Sequence, residues 1–152
     1  MLNSTLLKMK VKIINRSEYA LPRYQTDGAA GMDLRAVLPD AIQLLPLQRF
    51  MIPTGISIEL PVGYEAQVRP RSGLAAKKGL TCLNTPGTID SDYRGEIHVI
   101  LVNVSSEPQT IEPGERVAQI VIARYERITW LETNELSATD RGAGGFGSTG
   151  LQ

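Results

Sequence analysis

Apolar residues along the chain come in short runs of period two, cut by proline and glycine. Val11 to Ile14, Ile56 to Leu60, Glu96 to Asn103 and Arg116 to Arg124 are such runs. Alternation at this period is the pattern of a β-strand. Pro22, Pro39, Pro46, Pro53, Pro61–Val62–Gly63, Pro86–Gly87 and Pro113–Gly114 supply breaks and turns. Short strands spaced by turn residues predict an all-β sandwich or barrel. Two strands carry apolar residues on both faces. In one, Ile97, Val99 and Leu101 lie on one side and Ile100 and Val102 on the other; Val117 to Ala123 is similar. Either the other layer of a sandwich or a second subunit must cover the extra face, and an oligomer is the expectation. One short helix is expected. Ser72 can cap it, Leu74 to Lys78 are good helix formers, and Gly79 can end it.

From Thr133 the periodicity fades, and residues 140–150 are nearly half glycine. The chain therefore divides into a loose tail over 1–9, a β domain over 10–136 and a C-terminal arm over 137–152. Such an arm forms no core and is expected to be mobile alone. Met9 is an alternative start.

Composition narrows the function classes. A chain of 152 residues fits one domain with a real core. Sixteen basic residues balance sixteen acidic ones, so there is no bulk attraction to nucleic acid or anionic membrane. Neither is expected as a direct partner, and anion binding must come from local clusters. Cys82 is the only cysteine, which excludes an intrachain disulfide and suits a reducing, cytoplasmic setting. With His98 as the only histidine, a structural zinc site is not expected. No apolar stretch approaches the ~20 residues of a spanning helix.

Local clusters do occur. The arm reads Arg141-Gly142-Ala143-Gly144-Gly145-Phe146-Gly147-Ser148-Thr149-Gly150. It matches G-x-G-x-x-G but has no strand before and no helix after, so it is not a dinucleotide-binding turn, and it lacks the P-loop lysine. The chemistry of its residues remains. Glycines let backbone N–H groups approach phosphate oxygens, Ser148 and Thr149 add donors, Arg141 adds charge, and Phe146 can stack on a base. The plain alternative is a disordered terminus. Arg69-Pro70-Arg71-Ser72-Gly73-Leu74 opens the short helix, where arginine and N–H groups favour an anion; an ordinary capped helix with solvated arginines reads equally well. Asn84 to Gly95 holds Asp90 and Asp92, with Asn84 upstream and Tyr93 downstream. An aspartate can take a proton from water, and Asn84 has the donor and acceptor that a uracil-like base edge needs. The bland account is a hairpin loop whose acids cap N–H groups. Gly31 to Ala36 and Gly114 to Ile120 set polar residues inside apolar strands. An internal ion pair of Asp33 or Arg116 would explain them.

Together, five segments resemble the five motifs of the homotrimeric dUTPases, from about Lys10 to Gly150. They are Ala30 to Ala36, Pro70 to Leu74, Gly87 to Gly95, Gly114 to Gln119 and the arm from Arg141. The resemblance implies a jelly-roll-like β fold and a trimer with active sites between subunits, each closed by an arm from another subunit. It implies hydrolysis of dUTP to dUMP and pyrophosphate with Mg²⁺ on the triphosphate. By the same resemblance, Asp90 would activate the attacking water and Tyr93 would pack on the deoxyribose. Asn84, with the backbone of Gly87, Thr88 and Ile89 and the strand near His98, would read uracil. Arg71, Ser72, Gly73 and Gln119 would hold the α- and β-phosphates. Arg141, Gly147, Ser148 and Thr149 would hold the γ-phosphate, and Phe146 would stack on uracil. Asp33 would act on the metal indirectly, through water. Two rivals stand beside this reading, a dCTP deaminase-like enzyme and a non-catalytic trimeric nucleotide-binding scaffold.

Overall fold

The alternating runs become ladders of antiparallel strands. The computed structural model describes residues 9–145. Its strands are β1 (Lys12–Asn15), β2 (Gly31–Arg35), β3 (Ile42–Leu44), β4 (Arg49–Pro53), β5 (Ile56–Glu59), β6 (Tyr64–Arg69), β7 (Leu80–Cys82), β8 (Gly87–Ile89), β9 (His98–Asn103), β10 (Gln109–Ile111) and β11 (Arg116–Arg124). One helix, α1 (Ser72–Lys78), lies between β6 and β7. The strands form four sheets, ordered β1-β5, β3-β10, β2-β11-β6-β8 and β4-β9-β7. This is the expected all-β, jelly-roll-like architecture.

Alternation decides what lies inside. Leu34, Ile52, Leu80, Ile97, Val99, Leu101, Ile111 and Val117 are almost wholly buried and meet in one core. Along β9 and the residue before it, the Ile97, Val99 and Leu101 face is sealed; of the opposite face Val102 is buried and Ile100 half-buried. Met51, its register partner on β4, is exposed. One face of this sheet is thus apolar without full cover within one chain.

β11 is the spine of the largest sheet. It pairs β2 on one edge and β6 on the other. Against β2 the register slips between Arg116 and Ala118, so Val117 is an extra residue forming a bulge.

The helix departs from expectation at its start. Arg71, in extended conformation, holds the cap position with no side-chain bond, and Ser72 is already the first helical residue. A residue in extended geometry can lead the chain out of β6 and into the turn without a hydroxyl cap. The end is as expected: Gly79 is left-handed at φ 62, where a Cβ would also press on Ser105.

Asn103 closes the core's polar accounts. It is fully buried, yet its amide donates to Leu44 O at 2.9 Å and Glu107 O at 2.8 Å. Its oxygen accepts from the backbone and hydroxyl of Ser105, at 2.9 and 2.7 Å. After β11, regular structure stops. Residues 126–143 are exposed, among them Ile128, Trp130, Leu131 and Leu136 at 68 to 90%.

Asn103→Ala removes four hydrogen bonds, to Leu44 O, Glu107 O and the backbone and hydroxyl of Ser105, and should lower stability in urea unfolding by roughly 3 kcal/mol. Cys82 is 2% exposed, and burial pushes its thiol from the ordinary 9.0 up to about 11. The folded protein should therefore resist iodoacetamide at neutral pH and react fully once denatured. Between those two values the unfolded thiol ionises and the folded one does not, so stability falls as pH rises through that window.

Candidate active site

The first constellation follows from the register of β11. Gln119 faces Asp33 of β2 and Arg69 of β6, so the three share one side of the sheet. Chain leaving β6 returns Arg71 to the same place. Its Nε donates to Asp33 Oδ1 at 2.9 Å and its Nη1 to Arg116 O at 3.0 Å. Arg116 Nη1 donates to Asp33 Oδ2 at 3.2 Å. One carboxylate thus holds two guanidiniums, and the cluster keeps a net positive charge with free N–H donors. The Asp33 side chain is 21% exposed, so solvent screens the pairs only in part. The internal ion pair expected of Asp33 is present, and it is also what aims Arg71.

Gln119 Nε2 donates to Pro70 O at 3.0 Å, pinning the turn between Arg69 and Arg71. Its side-chain amide fills the space a Cβ on Gly31 would need, which accounts for glycine there. The turn before β11 is tied down separately. Lys78 Nζ meets Glu115 Oε1 at 2.7 Å, Glu115 Oε2 accepts from Glu112 N at 3.0 Å, and Arg35 Nη1 donates to Gly114 O at 2.7 Å.

The second constellation is a small cavity of about 230 Å³ beside the β8–β9 loop. Thr88, Ile89, Asp90 and Tyr93 line it from β8 and the loop; Glu96, His98 and Ile100 line it from the other side, with Met51 of β4. The loop is held by Tyr93 N donating to Asp90 O at 3.1 Å and Arg94 Nη1 to Ser91 O at 2.7 Å. Tyr93 Oη donates to Glu96 O at 2.9 Å, and His98 Nδ1 lies 3.1 Å from the same oxygen. Gly95 cannot carry a side chain, because the Tyr93 ring occupies the place of its Cβ. Asp90 is exposed at the rim. Among the described residues no ion pair or side-chain hydrogen bond engages its carboxylate, so it does not serve as the loop cap that a plain hairpin would need.

Of the sequence candidates, the cavity gathers Thr88, Ile89, Asp90, Tyr93 and His98. Gly87 is buried in β8, and Asn84 is exposed on the preceding loop with its Nδ2 close to Gly87. Arg71, Ser72, Gly73, Gln119 and Asp33 do not line this cavity. Arg141 is exposed, its Nε donating to Gly144 O at 2.8 Å. Phe146, Gly147, Ser148 and Thr149 lie outside the described residues. Sequence reasoning missed Glu96, Ile100 and Met51 as lining residues. Period two counted from His98 leads to the first two. Met51 arrives only through the β4–β9 register, for which the sequence carries no local signal.

The sequence profile of the dUTPase family matches residues 17–150. A protein of Cytophaga hutchinsonii named deoxyuridine 5'-triphosphate nucleotidohydrolase is 60% identical over 149 residues, 98% of this chain and 97% of its own length. One of the same name from Fusobacterium nucleatum is 54% identical over 143 residues, 94% of this chain and 98% of its own. Among solved structures, a Staphylococcus bacteriophage 80alpha dUTPase with dUpNHpp superposes at TM-score 0.82 and 24% identity, over 95% of this chain and 100% of that one. A dUTPase from phage phi11 of S. aureus, described with a structural Mg(II) ion, superposes at 0.73 and 20%, over 86% and 100%. At those identities the two structures speak for the fold, while the sequence matches reach further and take in the segments that build both constellations. On that footing, this chain belongs to the dUTPase family.

Proposed function

We propose that the chain is a dUTP diphosphatase, cleaving dUTP to dUMP and pyrophosphate. Its relatives at 54 and 60% identity carry the name deoxyuridine 5'-triphosphate nucleotidohydrolase. The observation that carries the chemistry is Asp90, an exposed carboxylate without a side-chain partner at the rim of a cavity sized for a nucleoside.

In this reading Asp90 takes a proton from a water molecule, whose oxygen attacks the α-phosphorus in line. The bond from α-phosphorus to the bridging oxygen breaks, and pyrophosphate leaves. Tyr93 packs on the deoxyribose, leaving no room for a 2′-hydroxyl. Asn84 and the backbone of Gly87, Thr88, Ile89 and His98 read uracil. Arg71, already aimed by Asp33, binds the α- and β-phosphates with Ser72, Gly73 and Gln119. Charge-assisted bonds of this kind both place the phosphates and stabilise the charge that develops on them. Arg141, Gly147, Ser148 and Thr149 bind the γ-phosphate, with Phe146 on the base.

The donor set fits a Mg²⁺ that arrives on the nucleotide. Among the described residues no three acidic, histidine or cysteine side chains gather into a cage. Asp33 gives each oxygen to one arginine and keeps acceptor capacity for metal-bound water. When bound, Mg²⁺ supplies neutralisation of phosphate charge.

The working form in this proposal is a homotrimer with shared sites. The arginine cluster and the nucleoside cavity are separate in one chain, which is what a site completed by a neighbour requires. The exposed apolar residues between Ile128 and Leu136, and an apolar groove of about 860 Å³ between β1, β2, β5 and β11, favour burial against further copies. Residues 10–136 then make the β domain and 137–152 the arm over another subunit's site; 1–8 lie outside the described residues. Among the described residues no helix is long and apolar enough to cross a membrane. We place the enzyme in the cytoplasm, limiting uracil in DNA and supplying dUMP for thymidylate.

Pyrophosphate release should be fast from dUTP and much slower from UTP, dCTP and dTTP. Loss of ammonia from dCTP with dUTP untouched would instead identify a deaminase. Asp90→Asn should keep dUTP binding, measured by calorimetry, while turnover falls about 100- to 10,000-fold; a fully active variant would remove Asp90 from the mechanism. Ending the chain before Arg141 should leave the oligomer intact in sedimentation and abolish most turnover.

A further inference from the structure

One backbone carbonyl, that of Glu96, is shared by two side chains of the nucleoside cavity. Tyr93 Oη donates to it at 2.9 Å, and His98 Nδ1 is 3.1 Å away. A peptide oxygen has two lone pairs and can accept from both. The Tyr93 ring already lies against Gly95, where no Cβ fits. Its hydroxyl bond to Glu96 is what fixes how far the ring leans into the cavity.

That carbonyl is itself clamped from behind. Glu96 Oε1 accepts from Gly55 N at 2.7 Å. The amide on the other side of the same peptide is held at that corner too, with Ile97 N donating to Ile56 O at 2.8 Å, and the next carbonyl accepts from Thr54 Oγ1 at 2.6 Å. The corner cannot easily shift. Gly55 sits at φ +69, and a Cβ there would come within 2.9 Å of Ser17 N. In contrast, the bonds of Tyr93 N and Arg94 Nη1 only tie the loop to itself. The Glu96 side chain is therefore the loop's side-chain tie to the β4–β5 corner, adding to the backbone bond of Ile97, two residues before β9 begins.

We infer that Glu96 is a positioning residue that sets sugar discrimination, by holding the carbonyl that fixes Tyr93. The inference rests on the dUTP reading above. A ring that excludes a 2′-hydroxyl works by occupying space, so a displacement of about an ångström is enough to admit the hydroxyl or misplace the sugar. The carboxylate does this through a hydrogen bond to a backbone N–H, not through its charge. An amide oxygen at the same place serves as well.

The test compares kcat/KM for dUTP and UTP in the wild type, E96A, E96Q and Y93F, each first checked for a cooperative melt. E96A should lower the dUTP-over-UTP preference about tenfold or more, with KM for dUTP raised more than kcat is lowered. E96Q keeps an acceptor for Gly55 N–H and should restore the preference. Y93F should lower it too, and the double variant should be no worse than E96A alone, because both act through one contact. Equal loss on both nucleotides, or E96Q as impaired as E96A, overturns the inference. If E96A fails to fold, Y93F decides: full preference in Y93F rejects it. Wild-type protein that leaves dUTP intact brings down the dUTP reading as well. Wild-type preference retained in E96A rejects the inference alone.

Discussion

β11 is hydrogen-bonded along both edges, to β2 and to β6, and the charge cluster around Arg71 depends on that double pairing. Asp33, Gln119 and Arg69 come from distant parts of the chain, yet the two registers fix them side by side. Once Asp33 is there, the turn after β6 brings Arg71 against it, and the bulge at Val117 sets where Arg116 sits. Two guanidiniums on one carboxylate lose little freedom on meeting an anion, because their directions are already chosen. The core supplies the rigidity. Leu34, Ala118 and Ile120 are buried behind the polar row, so the row cannot slide without exposing them.

Much of this was legible in the chain because it depends on local rules. Period two gave the strands around Ile56, Ile97 and Arg116, and the glycine needed at φ 62 marked the helix end at Gly79. A half-buried acid among apolar residues needs a cation, which pointed to an ion pair at Asp33. What was not legible depends on who pairs with whom. Met51 reaches the cavity through a register with Ile100, and Glu96 reaches Gly55 across 41 residues. The helix start misled for a related reason: a serine beside a helix is a good cap in isolation, but the geometry leaving β6 put Arg71 at that position. Motif residues named five that line the cavity, Thr88, Ile89, Asp90, Tyr93 and His98, and left out the neighbours that hold it in shape.

Separation of the two constellations bears on how the protein works. A carboxylate at a cavity rim and an arginine cluster elsewhere are, on the proposed function, two half-sites. Each is held together independently, the first through Glu96 and Gly55, the second through Asp33 and Gln119. Assembly of copies, in the trimeric reading, then joins parts that are individually preorganised, and little rearrangement remains for the substrate to drive.

The bulge in β11 has a further consequence, for how the gene can change. Val117 is one residue more than the β2 ladder accommodates, and it sits just before the row that carries Gln119. Side chains on a strand alternate, so a codon lost at the bulge leaves the later register intact, whereas one lost between Gln119 and Val121, where both edges are paired, would turn core residues outward against both neighbouring strands at once. Surface turns such as Pro61–Gly63 carry no such frame. Length variation among descendants of this chain should therefore collect in the turns and at the bulge, and the stretch from Ala118 to Arg124 should keep its length even where its residues drift.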